Sequence, residues 1–109
     1  MAHNLIVMLT TVPDASAAQA LAGGVLAARL AACATCLAPA QSTYHWQGRL
    51  ETVSEIPILF KTSPSCADAL ENFIIEHHSY DVPEIVRWDA TAQPAYAQWV
   101  AAETNLGTL

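Results

Sequence analysis

Strand-type and helix-type hydrophobic patterns alternate along the 109 residues, which predicts an α+β fold. Three observations carry that reading. A continuous, β-branched apolar run at 5–9 opens the chain, as in a strand buried on both faces. A long β-type stretch over 36–62 is interrupted by Gln47-Gly48, a tight-turn signal, as in a hairpin. Segments with apolar residues at helical spacing flank that stretch on both sides, and a third such segment closes the chain.

Taken in order, the first strand ends at Thr10-Thr11-Val12-Pro13-Asp14, where Asp14 or Ser16 can cap a helix by accepting from its free N–H groups. Leu21, Val25, Ala28 and Ala32 then recur at helical spacing. Gly23-Gly24 lies inside this helix and weakens it by about 1 kcal/mol per glycine relative to alanine. The same pair also permits close approach of a neighbouring element. Ser42-Thr43-Tyr44-His45-Trp46 alternates as the first hairpin strand. In the return strand, Glu51, Val53 and Glu55 point one way, and Leu50, Thr52, Ser54 and Ile56 the other. Pro57 has no N–H to give a ladder, so an edge, bend or bulge is expected there, with 58–62 resuming the strand. So long a hairpin cannot bury both faces against one or two helices, and part of it is expected to meet another subunit.

Ser63-Pro64-Ser65 breaks the strand, and Ser65 with Asp68 has the form of a capping box. The next helix carries a stripe of Cys66, Leu70, Phe73, Ile74 and His77. A short strand is expected at 85–88, and Pro94 opens a last helix with Tyr96, Trp99 and Val100 on one face. Residues 105–109 are expected as a frayed tail. The order is therefore β-α-β-β-α-β with an extra C-terminal helix, the split βαβ or ferredoxin-like pattern, as a single domain over 1–109.

The composition excludes several functions. Of all residues, 53% are hydrophobic and 13% charged, enough for a core in a size range where burial is limited. So apolar a small chain is expected to hide surface in an oligomer. The formal net charge is -6 with four Lys and Arg in all, so no basic patch exists for nucleic acid. An acidic surface tolerates cations and repels phosphates. Cys33, Cys36 and Cys66 make an odd count, which is not a disulfide framework. Met1-Ala-His-Asn passes directly into the first strand with no basic and then apolar leader, and no run is apolar enough to span a bilayer. A protein of a reducing cytoplasm, without membrane or nucleic-acid partners, is expected.

The densest chemistry lies at His77-His78-Ser79-Tyr80-Asp81-Val82-Pro83-Glu84, between a helix and a strand. Two imidazoles holding one cation need further ligands, and adjacent helical residues project about 100° apart, so the helix has to end there for both to serve. The competing reading is structural: His77 continues the apolar stripe, and a histidine suits the negative end of a helix dipole. Cys33 and Cys36 have CxxC spacing but sit at a helix-to-strand transition, the wrong end of a helix for a redox pair, which favours small buried hydrophobes. Glu51 and Glu55 share a strand face that reads first as a solvated hairpin face and second as a hard-cation or subunit contact. Tyr44, Trp46, Tyr80, Trp88 and Trp99 read first as packing and second as walls of a small-molecule cleft, with Lys61 its obvious cation. No nucleophile–base pair or glycine-rich phosphate loop is present, so an enzyme is not expected.

In combination these residues resemble the CutA family of divalent-cation tolerance proteins. The resemblance rests on Thr11-Val12-Pro13, Leu30-Ala31-Ala32-Cys33, Ser42-Thr43-Tyr44-His45-Trp46-Gln47-Gly48, Leu50-Glu51 with Glu55, Lys61-Thr62, His77-His78-Ser79-Tyr80, Pro83-Glu84-Ile85, and Tyr96 with Trp99. It implies a ferredoxin-like subunit in a tight homotrimer, with sheets extended between neighbours, and kinship to the PII signalling proteins. It also implies binding of divalent metal ions, copper among them, with His77 and His78 as the ligands. Some members carry a cysteine directly before the Thr-x-Pro turn, proposed to bind copper with the paired histidines. Here that residue is Thr10, which removes the soft thiolate that favours copper(I). The sharper reading of the aromatic residues is a cleft between subunits at Tyr44, Lys61, Tyr80 and Glu84, with Glu84, at a strand start after Pro83, expected to accept hydrogen bonds from Tyr44 or Lys61 across it. Two functions follow: a cytosolic trimer that binds divalent cations, or a PII-like signalling or scaffold trimer holding a small metabolite or a partner in that cleft.

Overall fold

The computed structural model describes residues 3–104. Its elements are β1 (Asn4–Val12), α1 (Ala15–Ala27), β2 (Cys33–Cys36), β3 (Ala40–Trp46), β4 (Arg49–Thr62), α2 (Ala67–His77), β5 (Ile85–Thr91) and α3 (Pro94–Glu103), with a 3-10 turn at Pro64–Cys66 leading into α2. All strand pairs are antiparallel. The sheet runs β2-β4-β1-β5, and β3 pairs with β4 beyond β2. The architecture is α+β: one antiparallel sheet with three helices. The expected tail at 105–109 lies outside the described residues.

Strand alternation divides the core. On one face, Ile6, Met8 and Val12 of β1 join Ile56, Ile58 and Phe60 of β4 against Leu21 and Val25 of α1 and Leu70 and Ile74 of α2. On the other face, Leu5 and Val7 pack with Val100 of α3. Coverage from both sides explains why residues 5–9 read as an unbroken apolar run.

β4 is 14 residues long and stays in one piece through Pro57, where the sequence predicts an interruption. The irregularity falls on its neighbours instead. Between the pairs Cys36↔Ile58 and Ala40↔Glu55, the chain from β2 to β3 takes four steps against three along β4. This is a bulge. The Pro57 carbonyl accepts from the Leu37 N–H at 2.9 Å on that edge. The N–H that proline lacks would face the same edge, because a strand residue aims both groups one way. No donor is therefore missing from the ladder with β1. Gln47 (φ 51) and Gly48 (φ 78) turn the hairpin with both residues left-handed, a type I′ turn that matches the twist of its strands. The hairpin projects beyond the helices and stretches the chain to 47 × 27 × 23 Å.

Two helix ends differ from expectation. α1 stops at Ala27, short of Ala32, because Arg29 turns left-handed (φ 58). The Arg29 and Leu30 N–H groups then return to the Leu26 and Val25 carbonyls, a Schellman closure. The capping box at Ser65 does not form: no side chain caps α2, and the 3-10 turn leads the chain into the helix instead. Asp68 binds Arg87 of β5 at 2.8 Å. At the start of α1, Asp14 caps as expected, accepting from the Ala17 N–H at 2.8 Å.

The glycine pair inside α1 separates into two roles. A Cβ at Gly24 would lie 3.1 Å from the Phe73 ring, whereas one at Gly23 meets nothing within 4 Å. Gly24 lets α2 come close. Gly23→Ala is expected to stabilise the protein by about 1 kcal/mol through helix propensity alone. Gly24→Ala forfeits that gain by displacing Phe73. Thermal unfolding of the two variants checks this, and equal gains would contradict the packing role.

Candidate functional site

The segment after α2 is pinned to the end of β1 by one imidazole. His78 leaves the helix with extended backbone (φ -83, ψ 144). Its Nδ1 accepts from the Tyr80 N–H at 3.1 Å, so the proton sits on Nε2, which donates to the Thr11 carbonyl at 2.8 Å. The ring also packs on Tyr80, with centroids 4.7 Å apart. Held in this way, the Tyr80 hydroxyl donates to Glu55 Oε2 at 2.8 Å.

Glu55 is 4% exposed. It occupies the last β3-paired position of β4, where the projecting hairpin enters the core. Burial, and then the hydrogen bond into Glu55, hold the Tyr80 phenol well above its ordinary range, so it remains a neutral donor. Around this pair lies a concavity of about 730 Å³ lined by Tyr44, Trp46 and Tyr80 and by the carboxylates of Glu55, Asp81 and Glu84.

Tyr44, Tyr80 and Glu84 line this concavity of the single chain, and Lys61 does not. Lys61 lies on the same face of β4 as Glu55, yet six residues further on, or about 20 Å at strand rise. Its Nζ is 4.0 Å from Cys33 Sγ, which lies 3.4 Å from the Tyr96 hydroxyl. That contact with Cys33, with burial second, pushes the Tyr96 phenol up to about 12. Within the chain, the carboxylate that receives a phenol hydroxyl is Glu55, which the sequence reading placed on a solvated face, rather than Glu84. The available signal was position: Glu55 directly precedes the buried alternation of Ile56, Ile58 and Phe60.

The paired histidines diverge. His77 Nδ1 donates to the Phe73 carbonyl at 2.8 Å, and its ring stacks on Phe73 with centroids 4.0 Å apart. Its Nε2 lone pair remains open on an exposed residue. His78 has both nitrogens engaged. Among the described residues, no group of three or more His, Cys, Asp or Glu is placed to hold a metal ion. The donors of one chain therefore do not make a complete coordination sphere. Thr10, the residue at the cysteine position of the resemblance, is fully buried, and its Oγ1 has no partner. Cys33 and Cys36 both lie in β2, the first half-buried and the second exposed, and neither forms a disulfide.

The profile of the CutA1 divalent ion tolerance proteins matches residues 6–103. The chain belongs to that family. The divalent-cation tolerance protein CutA of Yersinia pestis (strain Pestoides F) is 46% identical over 83 residues, covering 76% of this chain and 70% of the relative. Among solved structures, CutA from Xylella fastidiosa superposes with a TM-score of 0.90 at 33% identity, over 93% of this chain and 98% of that one. The divalent cation tolerance protein of Thermus thermophilus superposes with a TM-score of 0.88 at 31% identity, over 93% and 99%. An Archaeoglobus fulgidus relative, described as a periplasmic divalent cation tolerance protein CutA, shares the fold with a TM-score of 0.89 at 22% identity, over 93% and 99%. These CutA1 relatives favour divalent-cation tolerance over a PII-like signalling role. Among the described residues, no helix is long and apolar enough to cross a membrane.

Tyr80→Phe leaves one oxygen of a buried carboxylate without its donor and is expected to cost about 1–3 kcal/mol in urea unfolding near neutral pH. The phenols also set the alkaline limit. A phenol whose folded value is raised contributes stability in full below its unfolded value of 10.0 and loses it as pH climbs through the raised range. Tyr80→Phe and Tyr96→Phe should each flatten the decline of melting temperature above pH 10, and an unchanged decline in both variants would refute this account.

Proposed function

We propose that this CutA1-family chain works as a cytoplasmic homotrimer that binds divalent cations, copper among them, and confers tolerance to them by doing so. Each subunit is read as a single ferredoxin-like domain over 1–109, without catalytic activity. The observation that carries the metal reading is the open Nε2 of His77 at the end of α2. Imidazole nitrogen suits copper(II) and zinc(II), and the acidic composition favours cations over anions. One imidazole is an incomplete site, so the remaining donors come from a neighbouring subunit or from water. His78 joins only by giving up the Tyr80 N–H.

The trimer is supported by the apolar surface that one chain leaves exposed. Trp46 and Leu50 stand on the hairpin and Val86 and Trp88 on β5, all more than 40% exposed. β3 and β5 also present unpaired strand edges, which are ready templates for pairing with another copy. Three free cysteines, one of them exposed, suit a reducing compartment.

Calorimetric titration of the metal-stripped protein with copper(II) and zinc(II) tests the ligand. His77→Ala is expected to weaken binding by about tenfold or more. His78→Ala is expected to disturb the Tyr80 segment more than the affinity. Undiminished binding in His77→Ala would remove His77 from the site. Sedimentation is expected to give a trimer at micromolar concentration that dissociates and unfolds together. Trp46→Ala should weaken it more than the exposure of that residue in one chain suggests, and a stable folded monomer would overturn the assembly.

A further inference from the structure

The CxxC spacing of Cys33 and Cys36 resolves into two thiols on opposite faces of β2, because their separation along the strand is odd. Cys33 stands directly across from Lys61 in the ladder of β2 with β4, and residues paired in this way share a face. That face is covered by α3, whose Tyr96 packs beside Leu5, Val7 and Val100. Three elements thereby bring three reactive side chains together. The Tyr96 hydroxyl lies 3.4 Å from Cys33 Sγ, and the Lys61 ammonium lies 4.0 Å from it. All three belong to one chain, and none lies in the part of β4 that pairs with β3. Strand register and the seat of α3 therefore hold the cluster together without help from a neighbouring subunit.

The thiolate is the attacking form of a cysteine, and it is favoured by an adjacent cation. At Cys33 it meets an ammonium and a hydroxyl, both able to donate to sulfur. Tyr96 keeps its proton for this contact, since Cys33 and then burial push its phenol up to about 12. The other two thiols are placed differently. Cys36 is exposed at the end of β2, and Cys66 is 1% exposed in the turn that leads into α2. We propose that Cys33 is a modification site that takes up small disulfides as a mixed disulfide, with Lys61 and Tyr96 holding its thiolate. Cys33 gives its proton to solvent, and its sulfur attacks one sulfur of the reagent. The reagent S–S bond breaks as the new one forms, and the electron pair leaves on the second reagent sulfur, which takes a proton from solvent. Cys33 is oxidised, half of the reagent is reduced to a thiol, and no other oxidant is required. Closure onto Cys36 is barred, because thiols on opposite faces of one strand aim their Cβ bonds apart. The adduct therefore stays until an external thiol removes it. The site does not depend on the divalent-cation assignment at His77.

The probe is 2-hydroxyethyl disulfide in excess over the reduced, metal-stripped, assembled protein, with each cysteine followed by peptide mass spectrometry after acid quenching. Cys33 is expected to react at least about tenfold faster than Cys36 despite its lower exposure. Lys61→Met and Tyr96→Phe should each slow Cys33 several-fold and leave Cys36 unchanged, whereas Lys61→Arg should keep most of the rate. If Lys61→Met does not fold, Tyr96→Phe decides. Cys36 reacting as fast as Cys33 overturns the proposal, as does a Cys33 that stays unmodified in the assembled protein. A Cys33 rate unchanged in both variants overturns it too, and so does loss of two hydrogens in place of an adduct, which marks a disulfide between Cys33 and Cys36.

Discussion

One strand holds the molecule together. β4 pairs with β1 along one edge, and along the other it pairs first with β3 and then, past a bulge, with β2. Its inner half supplies Ile56, Ile58 and Phe60 to the core, while its outer half carries the hairpin beyond the helices. A strand serving both purposes needs a place where buried and solvated surroundings meet. That place is Glu55, the residue before Ile56. A carboxylate at such a junction is costly unless it is satisfied, and the phenol of Tyr80 satisfies it.

The rest of the site follows from holding Tyr80 in position. α2 ends at His77, and the next residue turns its ring back onto β1. An imidazole that accepts from one backbone group and donates to another fixes both a tautomer and a direction of chain. The geometry therefore gives the two histidines different work. His78 is a strut between the end of β1 and the site, whereas His77 stacks on its own helix and turns its open nitrogen outward. The carboxylates and rings gathered beyond the strut form a concavity that, among the described residues of one chain, has no Lys, Arg or His in its lining.

Much of this was legible in the chain itself. The Gln47-Gly48 turn, the Asp14 cap and the end of α2 at the histidines come from contacts between near neighbours, and such contacts leave local patterns. By contrast, β2 (Cys33–Cys36), a fifth strand absent from the β-α-β-β-α-β reading, exists only through its pairing with β4. Pro57 shows the limit of local reading. A proline announces a missing donor but does not say which edge lacks it, and only the pairing partners place the bulge opposite β4. The Ser65 cap failed for a related reason, because a 3-10 turn leads into α2 in its place and leaves Asp68 to Arg87.

The sequence by itself determined the α+β class and the family, because residue types at fixed spacing carry that information. Only the tertiary structure decided how Glu55, His78 and Tyr80 are joined. Burial of Glu55 depends on Tyr80, 25 residues away along the chain, and the occupation of His78 depends on Thr11, 67 residues away. Within one chain, strand rise holds Lys61 about 20 Å from Glu55 although the two share a face of β4. Hydrogen bonds of this span have no periodicity to reveal them, and they exist only once the sheet has brought β1, β4 and the end of α2 together.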